Sequence, residues 1–297
     1  MKKKILFIVN PRAGKGTIKR KLPRIIKNFF KQGYDVETCY TEKNYKPAQI
    51  IEEHKEHDID LLVCCGGDGT LNEVINSIMK LKKQPNISFI PLGTMNDFAR
   101  TIKMSTNKFF LSKNINDSRK VLSDIGSFNN VYFNYVAAFG AFTPVPYVTP
   151  QKAKRIIGKL AYFVVAFKYI FKIKSIKMKV EINGQVLEDS FIFGSVSNSK
   201  YIGSIDWFKK GDVKIDDGKY EVMLIRKPKH ILEFIDMSFA LVFKLYKRKY
   251  FSYFQSSEIH IVASQGIPWT LDGEYGRRSK EIRIKNNQKK ITYIIPK

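Results

Sequence analysis

Cysteine is scarce in this chain of 297 residues: only Cys39, Cys64 and Cys65 occur, an odd number with two adjacent inside an apolar run. That excludes the paired framework of a small secreted disulfide fold and fits a reducing cytoplasm. Long apolar runs are missing too. The most lipophilic stretch, Leu160 to Phe167, is closed off by Lys159 and Lys168, well short of the roughly 18 residues that span a bilayer. Lys2-Lys3-Lys4 followed by Ile5 to Val9 has the outline of an export signal, but its apolar part is too short and stops at Asn10-Pro11. The chain is therefore expected not to cross a membrane. Histidine is rare, and His54 and His57, three apart on a polar segment, read as a solvated helix face rather than a metal constellation. Acidic residues number 27 against 52 Lys+Arg, and the resulting net charge of +25 draws anionic partners: nucleic acid, anionic lipid headgroups or phosphorylated substrates.

What is present is ample material for a core, with 44% hydrophobic and 13% aromatic residues, and a length that suggests two domains. Ile5–Val9, Asp35–Tyr40, Asp60–Cys65 and Ile87–Ile90 read as strands, and Leu22–Phe30, Pro47–His57 and Leu71–Leu81 as helices between them. Strand and helix alternate, so the first domain is expected to be α/β, a parallel sheet flanked by helices. After about residue 125 the pattern turns to strands separated by turns: Val131–Ala138, Lys177–Ile182, Phe191–Val196, Tyr220–Leu224 and Glu258–Val262. A mainly β second domain is expected, interrupted by helix-like segments at Lys154–Phe171 and Lys229–Tyr246.

The strongest motif is the strand Leu62-Val63-Cys64-Cys65 breaking into Gly66-Gly67-Asp68-Gly69-Thr70-Leu71-Asn72-Glu73. Glycines let backbone N–H groups approach phosphate oxygens, and the helix that follows turns its unpaired N–H groups and positive dipole end to the anion. A carboxylate beside phosphates needs a metal or a proton to offset repulsion, which puts Asp68 in a magnesium network. Two further strand ends carry similar loops: Asn10-Pro11-Arg12-Ala13-Gly14-Lys15-Gly16, and Pro91-Leu92-Gly93-Thr94-Met95-Asn96-Asp97. In a parallel sheet such loops emerge at one carboxyl edge, where ligands bind. Neither a P-loop nor a complete dinucleotide fingerprint is present.

Together these three strings resemble the catalytic domain of the bacterial diacylglycerol kinase family, which is related to sphingosine and ceramide kinases and more distantly to NAD kinases. The resemblance continues through Phe139-Gly140-Ala141-Phe142-Thr143, Gly158 to Tyr162, Ser197-Asn198-Ser199, Asp216-Asp217-Gly218 and Leu271-Asp272-Gly273-Glu274. It implies an ATP- and magnesium-dependent lipid kinase, diacylglycerol being the first acceptor to consider. It also implies an α/β nucleotide domain over residues 1–125, a β-sandwich lipid domain over 126–285, a tail at 286–297 returning to the first domain, and an active site in the cleft between domains. Asn10, Pro11, Arg12, Ala13, Gly14, Thr41, Gly66, Gly67, Asp68, Gly69, Thr70, Leu71, Asn72 and Thr94 take the ATP-contacting positions by this resemblance, with Asn96 and Asp97 beside them.

Glu274 corresponds to the family's catalytic base, with Asp272 next to it; a carboxylate in reach of an alcohol can accept its proton during phosphoryl transfer. Asp-Gly-Glu is also a common hairpin tip. Asp217, with the main-chain carbonyls of Lys214 and Lys219, corresponds to a structural magnesium site, and an ordinary Asp-Gly turn is the competing reading. Met95, Gly203-Ser204 and Ala137-Ala138 depart from the commoner family pattern, which bears on the shape of the acceptor cleft rather than on the phosphoryl donor.

Lys152 to Lys177 interleaves Lys with apolar residues at helical spacing, which suits either core packing or a peripheral contact with an anionic membrane surface. A nucleic-acid partner is not expected, because no recognised module or basic-aromatic repeat is present. A homodimer is one assembly compatible with the sequence. Two rival functions stand beside the lipid kinase: an NAD kinase-like phosphotransferase, and a basic binding protein with an idle nucleotide fold.

Overall fold

The computed structural model describes residues 2–14, 16–140, 173–203, 205–209 and 211–297. Lys154–Phe171, Gly158–Tyr162 and most of the Phe139–Thr143 string fall outside the described residues.

The first half alternates β1 (Lys3–Val9), α1 (Ile18–Lys31), β2 (Tyr34–Tyr40), α2 (Pro47–Glu53), β3 (Leu61–Gly66), α3 (Asp68–Ile78) and β4 (Asn86–Pro91). Strands β1–β4 pair in parallel in the order β4-β3-β1-β2. Every side chain of β3 is buried, as expected of a central strand covered on both faces. In α1, Ile18, Leu22, Ile25 and Phe29 recur at steps of four, three and four and form the buried stripe. Phe29 meets Phe7 of β1 with ring centroids 6.2 Å apart.

Two short helices, α4 (Asp97–Thr101) and α5 (Phe110–Asn114), lead into β5 (Ser118–Phe128), which opens the mainly β region. There follow β6 (Val131–Phe133), β7 (Val136–Gly140), β8 (Ile176–Ile182), β9 (Gln185–Ser197), β10 (Tyr201–Ile202), β11 (Ile205–Asp206) and β12 (Tyr220–Arg226). The chain ends through α6 (Ile231–Val242), β13 (Phe251–Ser256), β14 (Glu258–Leu271) and β15 (Glu274–Pro296). Antiparallel pairing links β13-β12-β9-β7-β14-β15. Trp269 anchors this core, its ring 5.2 Å from Phe128 and 4.8 Å from Phe139 by centroid distance, and burying a side chain of this size contributes roughly 3 kcal/mol or more.

Strand β15 joins the two regions. It runs antiparallel to β5 and meets β4 in parallel at Tyr293 and Ile87, and Ser88 Oγ donates to the Ile294 carbonyl at 2.7 Å. Phe98 of α4 packs on Tyr293 at 5.0 Å and on Tyr135 at 6.1 Å, so one aromatic cluster ties α4, β15 and the β6–β7 turn together.

Four sequence expectations are corrected. The run Val131–Ala138 is not one strand: it breaks at Asn134-Tyr135, whose N–H groups turn away from the ladder to the Asp272 carboxylate. Helix α2 stops at Glu53 rather than His57, and His54 is no solvated residue; it is 9% exposed and held by Ile50 and Glu37. Helix α3 begins at Asp68, three residues before the expected Leu71, because the periodic apolar pattern marks only the part of a helix that packs.

Candidate active site

The carboxyl ends of β1, β3 and β4 lie side by side, and their loops are bonded into one surface. Asn10 N donates to Cys65 O at 2.9 Å, Leu92 N to Gly66 O at 2.7 Å, and Asn10 Nδ2 to Thr70 Oγ1 at 3.0 Å. Glycine is required where the loops touch. Gly14 has φ +62°, and a Cβ there would stand 2.4 Å from the Leu92 carbonyl oxygen; a Cβ on Gly93 would stand 3.1 Å from Gly67 Cα. The three junctions therefore pack backbone to backbone, and α3 starts beside them from Gly67 with no side-chain cap on its first N–H groups.

A cavity of about 490 Å³ opens over this surface. Asn10, Ala13 and Gly14 line it from the first loop, Gly67, Gly69, Thr70, Asn72 and Glu73 from the second, and Gly93 from the third. Glu274, at the start of β15, closes it from the β region. The loops, far apart in sequence, thus meet one exposed carboxylate that has no hydrogen-bond or ion-pair partner among the described residues.

The other nominated residues sit around or beneath the cavity. Pro11 and Arg12 are in the first loop, Arg12 exposed with its N–H on Asn10 Oδ1. Thr41 extends the sheet edge, donating from N to Val9 O at 2.9 Å. Thr94 is exposed, whereas Leu71 and Gly66 are buried. Asn96 adopts a left-handed backbone at φ 51° and its Nδ2 donates to Gly93 O, which shapes the third loop. Asp97 is fully buried, with Arg100 Nη1 at 3.9 Å.

Asp68 and Asp272 are both set back from the opening. Burial, then the charges of Asp97 and Asp272, push the Asp68 carboxyl up to about 7, against the pull of the Asn96 and Asp97 N–H groups. Its Oδ1 is buried without a partner. Asp272 does not enter the cavity. Its Oδ1 accepts from Tyr135 N and Val136 N, and its Oδ2 from Asn134 N and Asn72 Nδ2, at 2.6 to 3.0 Å. Burial raises its carboxyl while these donors pull it down. Asp272 is thus a tether between α3, the β6–β7 turn and the hairpin that carries Glu274.

Lys214, Asp217 and Lys219 belong to a different place, the turn before β12. Asp217 Oδ1 accepts from Lys219 N at 3.1 Å, and the adjacent Gly218 N donates to Asp124, a fully buried carboxylate also bonded by Lys289 N and Asn286 Nδ2. Gly93 and Glu73 line the cavity although only their neighbours were nominated; both lie inside the motif strings, which was the available signal. Asp124 had none, since its role depends on strands distant in sequence.

Residues 4–128 match the family described as the diacylglycerol kinase catalytic domain. A diacylglycerol kinase of Staphylococcus epidermidis is 32% identical over 286 residues, covering 93% of this chain and 87% of that protein. This chain belongs to the diacylglycerol kinase family of lipid kinases. The family relative from Staphylococcus haemolyticus is 31% identical over 286 residues, covering 93% of this chain and 83% of its own length. In three dimensions the chain is similar to a diacylglycerol kinase from Bacillus anthracis, with a TM-score of 0.77, 25% identity, and coverage of 99% of this chain and 97% of that one.

Proposed function

We propose that this diacylglycerol kinase family member binds ATP in the cavity between the three glycine loops and Glu274, and transfers the γ-phosphoryl group to a lipid hydroxyl. Diacylglycerol is the first acceptor, giving phosphatidic acid. The observation that carries the reading is the meeting of phosphate-cradling loops with a single unpaired carboxylate across one opening. Residues 1–125 then form the nucleotide domain, 126–285 the lipid domain, and 286–297 a return to the first, with the active site between them.

The chemistry follows from these positions. Backbone N–H groups of the loops and of the α3 start bind the phosphates and orient the chain of phosphorus atoms. Glu274 accepts the proton of the lipid hydroxyl as its oxygen bonds to the γ-phosphorus; the bond to the β–γ bridging oxygen breaks, and ADP leaves with that electron pair. Asp68 fits a hard cation, because a buried carboxylate oxygen without a partner, crowded by Asp97 and Asp272, is relieved by one. When bound, magnesium supplies charge compensation for the phosphate oxygens. Asp217 with the Lys214 and Lys219 carbonyls is the second candidate magnesium site, supported by the closeness of the Asp124 and Asp217 charges.

A lipid acceptor requires peripheral contact with a membrane, and α6 supports one. Among the described residues no helix is long and apolar enough to cross a bilayer. On α6, however, Leu232, Ile235, Phe239 and Val242 are each more than half exposed at helical spacing, with Lys229, Lys247, Arg248 and Lys249 near its ends. An apolar helix face with flanking cations suits the boundary of an anionic bilayer.

The test is phosphate transfer from labelled ATP to diacylglycerol, monoacylglycerol, sphingoid bases, polyprenol and NAD, in vesicles containing anionic phospholipid. Labelled phosphatidic acid is the expected product. Transfer to NAD alone, or to no lipid, overturns the proposal.

A further inference from the structure

His54 lies at the end of α2 with both ring nitrogens facing acceptors. Nδ1 is 2.7 Å from Ile50 O, and Nε2 is 2.9 Å from Glu37 Oε1 of β2. A neutral imidazole has one N–H donor and one lone pair, so it satisfies only one of these oxygens. Both oxygens can only accept, so with the single proton on Nδ1 toward the Ile50 carbonyl the Nε2 lone pair is aimed at a carboxylate. That arrangement needs a cation between nitrogen and oxygen, either a second proton or a metal ion.

A third donor stands at the same spot. His57 follows His54 by one turn, its ring centroid 5.2 Å away and nearly perpendicular, and its N–H donates to His54 O at 3.0 Å. One ligating atom each of Glu37, His54 and His57 lie within 4.8 Å of one another. Tetrahedral zinc with bonds of about 2.0–2.2 Å places its ligand atoms roughly 3.3 Å apart. The His54–Glu37 pair already approaches that spacing, and a ring nitrogen of exposed His57 lies within 4.8 Å of both. The backbone carbonyl on Nδ1 is the outer-shell partner that orients a metal-bound histidine.

We propose that Glu37, His54 and His57 bind a divalent transition metal of the zinc class, with water completing the coordination. Two imidazoles and one carboxylate favour such an ion over magnesium, which prefers oxygen donors. The site is separate from the kinase cavity. Glu37 on β2 precedes Thr41, the residue just past that strand, by four positions, roughly 13 Å of extended chain, and α2 spans the gap: its N-cap residue Lys46 has Nζ 3.9 Å from Oε1 of cavity-lining Glu73, while His54 ends it. Strand β2 is the outermost strand of the parallel block, so the ion clamps the end of α2 to an edge that has no further strand to hold it among the described residues.

The experiment titrates zinc into the full-length chain, measuring affinity and stoichiometry by calorimetry with excess magnesium present, and the thermal shift alongside. One zinc per chain and a raised melting temperature are expected. His57→Ala and Glu37→Gln, both at exposed positions, should keep the fold and weaken zinc binding by more than the ~10- to 100-fold that follows loss of an outer-shell partner. Lipid kinase activity without zinc should match the parent chain. Zinc binding of equal strength in parent and variants, or none in the parent, overturns the proposal. So does an NMR spectrum in which His54 carries protons on both nitrogens with zinc present.

Discussion

A methyl group placed on Gly69 would stand 2.5 Å from Glu274 Oε1, so the first turn of α3 and the start of β15 are in direct contact across the cavity. The space that a side chain at 69 would fill is the space that the carboxylate occupies. Gly69→Ala therefore pushes the flexible end of Glu274 aside rather than breaking the backbone. The expected result is a kcat at least tenfold lower with a near-normal melting temperature, checked by steady-state kinetics and thermal unfolding. An unchanged kcat would separate Glu274 from the chemistry.

Glu274→Gln keeps the shape and removes the proton acceptor. Positioned general bases contribute on the order of 10²–10⁴ in rate, so kcat should fall in that range while ATP binding, measured by calorimetry, stays within about twofold.

Asp272→Asn tests the tether. Asparagine tolerates the left-handed backbone at this position, φ 51°, but its NH₂ group replaces an oxygen that accepts two N–H bonds in either orientation. Two buried donors lose their acceptor, at about 1–3 kcal/mol each. Urea unfolding should show a loss of about 2–5 kcal/mol, and activity should fall because Glu274 follows two residues later. A loss under 1 kcal/mol would refute the tether.

Asp68 makes stability depend on pH in a stated direction. Its carboxyl is raised from 3.8 to about 7 in the fold, so the native chain holds a proton that the unfolded chain has lost between those values. Stability from this group is highest below about pH 4, declines as pH rises, and is fully lost above about pH 7. Asp68→Asn removes the penalty: in EDTA it should be roughly 2–4 kcal/mol more stable than the parent at pH 8 and little different at pH 4, while transfer is abolished. A stability difference that is the same at both pH values would contradict this account.

Charged exposed residues on α6 test membrane contact. Ile235→Glu combined with Phe239→Glu should leave transfer to a detergent-dispersed lipid intact and reduce co-sedimentation with anionic vesicles several-fold. Equal binding of parent and variant would place the contact elsewhere.

Much of the first half was legible because its signals are local. Glycines follow buried runs at 62–65 and 87–91, a cluster at Gly66-Gly67 and Gly69 and the single Gly93, and each marks a strand that ends and a loop that must pass close to its neighbours. The limits of α2 and α3 are not legible where apolar periodicity is silent: Asp68 begins its helix at the cavity edge, and His54 ends its helix on a long-range bond to Glu37. The break at Asn134-Tyr135 was invisible for the same reason, since the carboxylate that turns those N–H groups lies 137 or 138 residues away in sequence.

The sequence by itself determined the three glycine-bearing loops, because each rests on residue types at short spacing, and its resemblance to the family nominated Glu274 as the base. Only the tertiary structure decided what each carboxylate does. Asp272 and Glu274 stand two apart on one hairpin, yet the first is consumed by four N–H donors and the second faces open space beside Gly69. That division depends on which backbone groups the folded chain brings within about 3 Å, and spacing along the chain carries no record of it.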